Sequence, residues 1–358
     1  MPRNRTLAPP PRAEPQGYQG PSGVSRAGWP ETAGADAPPA GDAAAIRRAA
    51  WFAALPSCFT FTVDVEELHT EESTDRLERT TRRLLDMLEE AGGGRGTFFI
   101  LGEAARRAPG LVREIARRGH ELASHGERHR ALRVETPERF RADLAACKAR
   151  IEDLGGAPVL GFRAPMFSLT AETAPWATAI LGELGFAYSS SVVPAWNFLH
   201  GYPGAPRRPF LWPSGVLELP CPLGRMGPLA IPFLGGMYLR YLPPWRLRRF
   251  ARQPDAAPQG IFWSYCHPYD LDTAQGLRRY AGLGFGASLM LWLNRGRMEG
   301  RLRALLAGRR SLPFAERLEA IRAEADRSFW PGWAAAPASA AAVATPGPRS
   351  SCAETPRA

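Results

Sequence analysis

The sequence predicts an α/β fold, a parallel sheet wound into a (β/α) barrel, on three observations. Short apolar runs alternate with segments of helical period through the middle of the chain. Glycine falls where those elements should end, as in LGG at 154–156 and LGF at 184–186. About six to eight strand-then-helix units favour closure into a barrel over an open sheet. An open doubly wound sheet is the alternative, and the absence of a GxGxxG or GxxxxGK[ST] turn after the first strand weighs against it.

The elements follow in order. CFTFTVDV at 58–65 reads as a strand and DRLERTTRRLLDMLEEA at 75–91 as an amphipathic helix. GTFFIL at 96–101 and PGLVREIARRG at 109–119 repeat the pair, as do HELAS at 120–124 and ERFRADLAACKARIEDLG at 138–155. VLGF at 159–162 precedes the helix-like AETAPWATAILGELG at 171–185. YSSSVV, VLELP and IFWSY supply later strands, the last after the arginine-rich WRLRRFARQ. Residues 1–45, dense in Pro, Gly and charge, and the Ala/Pro/Ser tail at 331–358 cannot bury enough apolar surface to order themselves, so disorder is expected at both ends. The expected domain is 46–330, a barrel with a C-terminal helical extension.

Composition excludes several classes. Among 358 residues, 45 Lys+Arg face 35 Asp+Glu for a net charge of +10. Lys148 is the only lysine, and the arginines are scattered without a nucleic-acid-binding motif. They read as a solvated surface, and no nucleic-acid partner is expected. No run approaches the roughly 18 unbroken apolar residues of a membrane-spanning helix. The five cysteines are far apart and form no CxxC pair, which predicts reduced, mostly buried thiols. With no compact apolar leader in residues 1–45, a cytoplasmic protein is the expectation.

The chemistry-bearing residues sit where predicted strands stop, and in a parallel barrel those C-terminal ends share one face. Side chains alternate along a strand, so Asp64 and Glu66 project together while Val63 and Val65 project oppositely; Glu67 is second choice. In SHGERH at 124–129, His125 and His129 can face one ligand if the segment turns helically. Two imidazoles and a carboxylate suit catalytic zinc with an open position. Gly126 stands where the glutamate of HExxH would be, so this is not a zincin. Arg163 at the next strand end could grip a carboxylate, and His267, ahead of Pro268, could donate a proton.

These segments, TVDVE at 62–66, GHELASHGERH at 119–129, RAP at 163–165 and CHP at 266–268, resemble in their order the motifs of the polysaccharide deacetylases, carbohydrate esterase family four. The resemblance runs from about 58 to 275. It is strongest to the branch found with exopolysaccharide genes, whose first motif reads Asp-Val-Glu-Asp and whose later Gly-Gly segment corresponds to LGGMYLRYLPPW at 234–245. It implies a distorted seven-stranded barrel, a divalent metal, Zn²⁺ before others, and hydrolysis of an N-acetyl group on a hexosamine glycan. By the same resemblance Asp64 would be general base, Glu66, His125 and His129 metal ligands, Arg163 the residue orienting Asp64, and His267 general acid. Ser189 stands where relatives often carry Asp.

For substrate, Phe167, Trp196 and Tyr238 are the candidate sugar-contacting aromatics, with Phe198, Tyr202, Trp212 and Trp245 in similar loops, although anchoring of core or loop is the commoner role of such residues. The segment at 284–306 combines an apolar stretch with arginines; docking on the barrel is expected there, with peripheral membrane contact as the alternative. Two rival functions compete with this one. A metal-independent hydrolase of small cyclic amides, allantoinase-like, is disfavoured by the paired histidines. A non-catalytic carbohydrate-binding protein is disfavoured by intact Asp64 and His267.

Overall fold

The structure, a computed structural model, describes residues 48–67, 73–197, 199–280 and 284–325. Both expected disordered ends lie outside the described residues. β1 (Cys58–Val65) is buried from Phe59 onward, and its residues divide by parity. Phe59, Phe61, Val63 and Val65 pack outward among the helices, in one cluster with Leu77, Leu84 and Leu88 of α1 (Asp75–Glu90). Thr60, Thr62 and Asp64 are buried too, and their hydrogen bonds run to neighbouring strands and the interior.

The pattern repeats through β2 (Gly96–Ile100), α2 (Gly102–Arg107), α3 (Pro109–Arg117), β3 (Glu121–Ser124), α4 (Pro137–Gly155), β4 (Gly161–Phe162), α5 (Ala174–Glu183) and β5 (Tyr188–Ser189). β6 (Phe210–Leu211) and β7 (Leu217–Glu218) then lead to the hairpin β8 (Gly224–Met226) and β9 (Leu229–Ile231). α6 (Gly236–Tyr241), α7 (Pro244–Ala251) and β10 (Trp263–Cys266) precede α8 (Phe285–Trp292), α9 (Met298–Leu306), β11 (Arg310–Ser311) and α10 (Phe314–Ala325).

Seven strands run parallel in the order β10-β1-β2-β3-β4-β5-β7, with β6 antiparallel outside β7 and β11 paired to the start of β1. No backbone ladder joins β10 to β7 among the described residues. The sheet nevertheless curls, so that one interior side chain reaches several strands. The Arg163 guanidinium lies 4.0 Å from the Phe99 ring and 4.5 Å from the Trp263 ring, and bonds Asp64 and Ser190. Trp263 Nε1 donates across the remaining gap to Pro220 O at 3.2 Å. The result is the distorted, incompletely closed barrel expected from the resemblance, not an open sheet.

The other end of the barrel is plugged by α10. Its first amides, Phe314 N and Ala315 N, donate to Thr97 Oγ1 and Glu121 Oε2 at 3.0 Å each. Burial raises the Glu121 carboxyl even so, against donors that include Thr97 and Tyr188. The site end is thus left open while the opposite end is filled.

Beside this plug His120 is buried and its Nδ1 accepts from Gly96 N at 3.1 Å, which requires an unprotonated nitrogen. Burial, with Arg118 and Arg95 nearby, lowers it from 6.5 to about 4. Unfolded chain therefore takes up a proton below about pH 6.5 that folded chain refuses until about 4. Stability should be full above that window and fall within it by up to roughly 1.4 kcal/mol per pH unit. Urea midpoints across the window measure this, and His120→Asn, which keeps an acceptor, should flatten the slope.

Candidate active site

Asp64, Glu66, His125, Arg163 and His267 lie at or just beyond the C-terminal ends of β1, β3, β4 and β10, as parallel pairing dictates. One cavity of about 830 Å³, counting its open part, is lined by Asp64, Glu66, His125, His129 and His267. Residues separated by two hundred positions in the chain share this wall.

Glu66 Oε2 lies 2.7 Å from His129 Nε2 and 3.3 Å from His125 Nε2, yet is left without a well-formed hydrogen bond. The three candidate ligand atoms fall within 4.8 Å of one another. Two ring nitrogens and a buried orphan carboxylate oxygen that converge without satisfying each other form a donor set for a divalent cation. His125 Nδ1 is held 2.8 Å from Arg163 O, which directs Nε2 to this point. Burial would raise the Glu66 carboxyl, but His129, His125 and His267 together hold it well below its usual range. Burial opposes the charge on His129 as well, and there Glu66 prevails, raising it. The path to His129 departs from expectation: no helix carries the pair. Gly126 adopts a left-handed φ of 82°, and the bend after it swings His129 back toward His125. Glu67 turns away to pair with Arg107.

Asp64 Oδ1 accepts from Arg163 Nη1 at 2.6 Å. Arg163 is fully buried and braced by Thr62 Oγ1, Ser190 O and Ser190 Oγ at 2.8, 3.1 and 3.0 Å. Glu218 holds that bracing segment by accepting from Ser191 N and Val192 N at 2.7 and 3.0 Å. A guanidinium packed between two aromatic faces cannot swing, so it fixes Asp64 toward the cavity.

His267 Nε2 stands 3.9 Å from Asp64 Oδ2 and 3.7 Å from Glu66 Oε1. Its other nitrogen, Nδ1, is 2.9 Å from Asp270 Oδ2. Asp270 is in turn 3.4 Å from Arg240 Nε, and Tyr269 stacks on the imidazole at 4.6 Å. Burial alone would lower His267, but the Asp270 hydrogen bond, with Glu66 and Asp64 nearby, pushes it up to about 9. Asp270, Arg240 and Tyr269 escaped the sequence reading. A signal existed for Asp270, because in HPYD the proline and the acid occupy the first and third positions of a capped turn, with His267 as cap.

Of the candidate aromatics, Phe167 and Tyr238 line the cavity. Phe167 arrives through consecutive left-handed residues, Met166 and Phe167, with φ of 57° and 52°. Trp196 is 68% exposed and is not part of the cavity wall. Tyr202 and Trp212 are core residues stacked on one another, the anchoring role and not that of sugar platforms. Phe198 lies outside the described residues. Ser189 bonds Ser191 Oγ at 2.9 Å, and the carboxylate at His267 Nδ1 is that of Asp270. The arginines are also not all solvated: Arg163, Arg240, Arg295, Arg301 and Arg317 are buried.

Residues 59–188 match the model of the polysaccharide deacetylase family, and residues 190–320 match a domain of unknown function, DUF3473. A peptidoglycan deacetylase-like protein of Gibberella zeae, FGM2, is 31% identical over 111 residues, 31% of this chain and 32% of that protein. A peptidoglycan-N-acetylglucosamine deacetylase of Bacillus cereus is 29% identical over 98 residues, 27% and 35% of the two chains. The chain thus spans about a third of the length of these curated relatives. A crystal structure assigned to the polysaccharide deacetylases, from Mycobacterium smegmatis, aligns with 75% of this chain and 91% of its own at 21% identity and a TM-score of 0.46.

Proposed function

We propose that this chain, whose residues 59–188 match the polysaccharide deacetylases, is a metal-dependent hydrolase that removes N-acetyl groups from an N-acetylhexosamine-containing glycan or its precursor. The observation that carries the reading is the meeting of three arrays in one cavity: the Glu66, His125 and His129 donors, the Asp64–Arg163 pair, and the His267–Asp270 pair.

Glu66, His125 and His129 would hold the cation, and a mixed nitrogen and oxygen set favours Zn²⁺ over Mg²⁺ or Ca²⁺. When bound, the metal supplies Lewis-acid polarisation of the acetamide carbonyl and eases ionisation of water. The chain does the proton work. Asp64, aimed by Arg163, takes a proton as water oxygen bonds to the carbonyl carbon. His267 gives its Nε2 proton to the sugar nitrogen as the carbon–nitrogen bond breaks, releasing acetate and a free amine. Asp270 orients the ring through Nδ1, leaving Nε2 toward the substrate. Phe167 and Tyr238 offer ring surface to a sugar at the cavity wall.

The test is acetate release from N-acetylglucosamine oligomers by the purified chain, with and without a chelator. Release that survives metal removal would return the metal-free amidase to first place; no release from any acetylated glycan, with metal restored, would favour the non-catalytic reading.

His267→Ala should slow turnover about 10²-fold or more, since an unprotonated amide nitrogen is a poor leaving group. Asp270→Asn gives a subtler readout. Asp270 raises His267, and the acid form works only below that pKa, so activity should fall as pH rises through it. Removing the carboxylate moves this alkaline limb of kcat/KM to lower pH and costs about tenfold in rate on the alkaline side. An unmoved limb would remove Asp270 from the mechanism.

A further inference from the structure

α8, with the sequence FGASLMLW, is apolar almost throughout, yet only its Ser288 is buried. Phe285 is 59%, Met290 45% and the following Leu293 37% exposed. The expectation that residues 284–306 dock on the barrel therefore holds for α9, which buries Met298, Leu302 and Leu305, whereas α8 is attached but leaves Phe285 and Met290 exposed. Nor is α8 loosely attached. Arg240 Nη1 donates to Leu291 O and Leu293 O at 3.0 and 3.3 Å, Tyr241 OH to Met290 O at 2.8 Å, and Trp292 Nε1 to Gln275 O at 2.8 Å. The scaffold holds this helix by three carbonyls near its C-terminal end and by the Trp292 side chain, and leaves Phe285 and Met290 outside.

Two further observations bear on what would cover it. Leu291 of α8 lines the active-site cavity, as does Leu199, itself 57% exposed, so the apolar surface is continuous with the rim of the site. Residues 273–298 contain four arginines and no acidic residue, and Arg279 and Arg297, before and after α8 in the chain, are exposed. Apolar protrusion flanked by arginine is the pattern of a helix lying at the headgroup boundary of an anionic bilayer. A symmetric second copy would set those arginines against their own kind.

We propose that α8 and the adjoining rim form a membrane-docking surface, which seats the cavity on an anionic bilayer. Taken with the proposed deacetylase activity, on which this part rests, the preferred substrate is a glycan tethered to that bilayer rather than one free in solution. No helix among the described residues is long and apolar enough to cross a membrane, so docking would be peripheral.

Sedimentation of the full chain with vesicles of phosphatidylglycerol and phosphatidylcholine tests the docking without reference to catalysis. Binding is expected to the mixed vesicles and not to phosphatidylcholine alone. The double substitution Phe285→Glu with Met290→Glu should weaken it at least about tenfold. Arg279→Glu with Arg297→Glu should weaken it several-fold, whereas Arg113→Glu, an exposed site on α3, should have little effect. All variants should keep the wild-type melting temperature and the wild-type rate on soluble oligomers. Wild-type protein that does not bind anionic vesicles, or a Phe285/Met290 variant that binds as well, overturns the proposal. So does a dimer in solution that the same double variant dissolves, which would assign the surface to a second copy. Loss of activity on all substrates with vesicle binding intact would instead count against the deacetylase reading.

Discussion

Asp64→Asn is expected to lower kcat by about 10²- to 10⁴-fold while leaving metal content and melting temperature close to wild type. The substitution is nearly isosteric, and an amide oxygen can still accept the 2.6 Å bond from Arg163 Nη1. What disappears is the capacity to receive a proton. Arg163→Met makes a contrasting case. It removes a fully buried cation that touches Thr62, Ser190, Phe99 and Trp263, so Asp64 would remain buried with its charge unpaired. Breaking one side of such a pair costs about 3–5 kcal/mol, and the loss should appear in thermal unfolding as well as in rate. The two variants thus separate a chemical role from a positioning one. Turnover in Asp64→Asn within tenfold of wild type would remove Asp64 as the base.

Much of this arrangement was legible in the sequence where local chemistry sets it. β1 and β2 announce themselves as apolar runs because both faces are covered, and α1 and α3 by their 3.6-residue apolar stripes. Alternation along β1 was enough to choose Glu66 over Glu67, since a strand that delivers Asp64 inward must deliver Glu66 the same way. The two-residue strands β6 and β11 carry no period of their own; they exist because a neighbouring strand offers backbone partners, and a pattern cannot show that. His129 was found for the wrong geometric reason. Spacing of four suggested a helix, whereas a left-handed glycine makes the turn.

The buried arginines are the largest departure from the sequence reading, and Arg240, Arg295 and Arg301 share a physical cause. A guanidinium inside a protein must meet acceptors in several directions, and irregular segments supply them as unpaired carbonyls. Arg301 Nη1 reaches Leu239 O and Leu242 O at the end of α6. Arg295 gathers Leu291 O, Asp272 O, the Gln275 side chain and Tyr280 OH. Arg240 spans α8 and Asp270. The segment after residue 190 is short of regular structure, and these arginines tie it to the barrel and, through Asp270, to His267. Composition counts such residues as surface charge because it records the cation and not the carbonyls that surround it.

Removing a proposed metal ligand should have the other large effect. Glu66→Gln keeps the shape of the side chain but removes the charge, and His125→Ala removes a donor whose ring is fixed by Arg163 O. Each leaves two of three protein ligands, so metal affinity should fall by about 10²-fold or more, with deacetylation falling alongside unless metal is added in excess. Glu66→Gln should fall further than its lost contact implies. Glu66 is also the carboxylate that His129 and His267 face, at 2.7 and 3.7 Å, so neutralising it removes the anion that offsets a cation among three imidazoles. Titration of the metal-free chain with Zn²⁺ measures the affinities directly. Because neutral imidazoles are the binding form, wild-type affinity should also weaken as pH falls below neutrality, with protons released on binding. His125→Ala with His129→Ala binding one Zn²⁺ as tightly as wild type would place the cation elsewhere, and the proposed roles of Asp64 and His267 would lose the centre around which they are arranged.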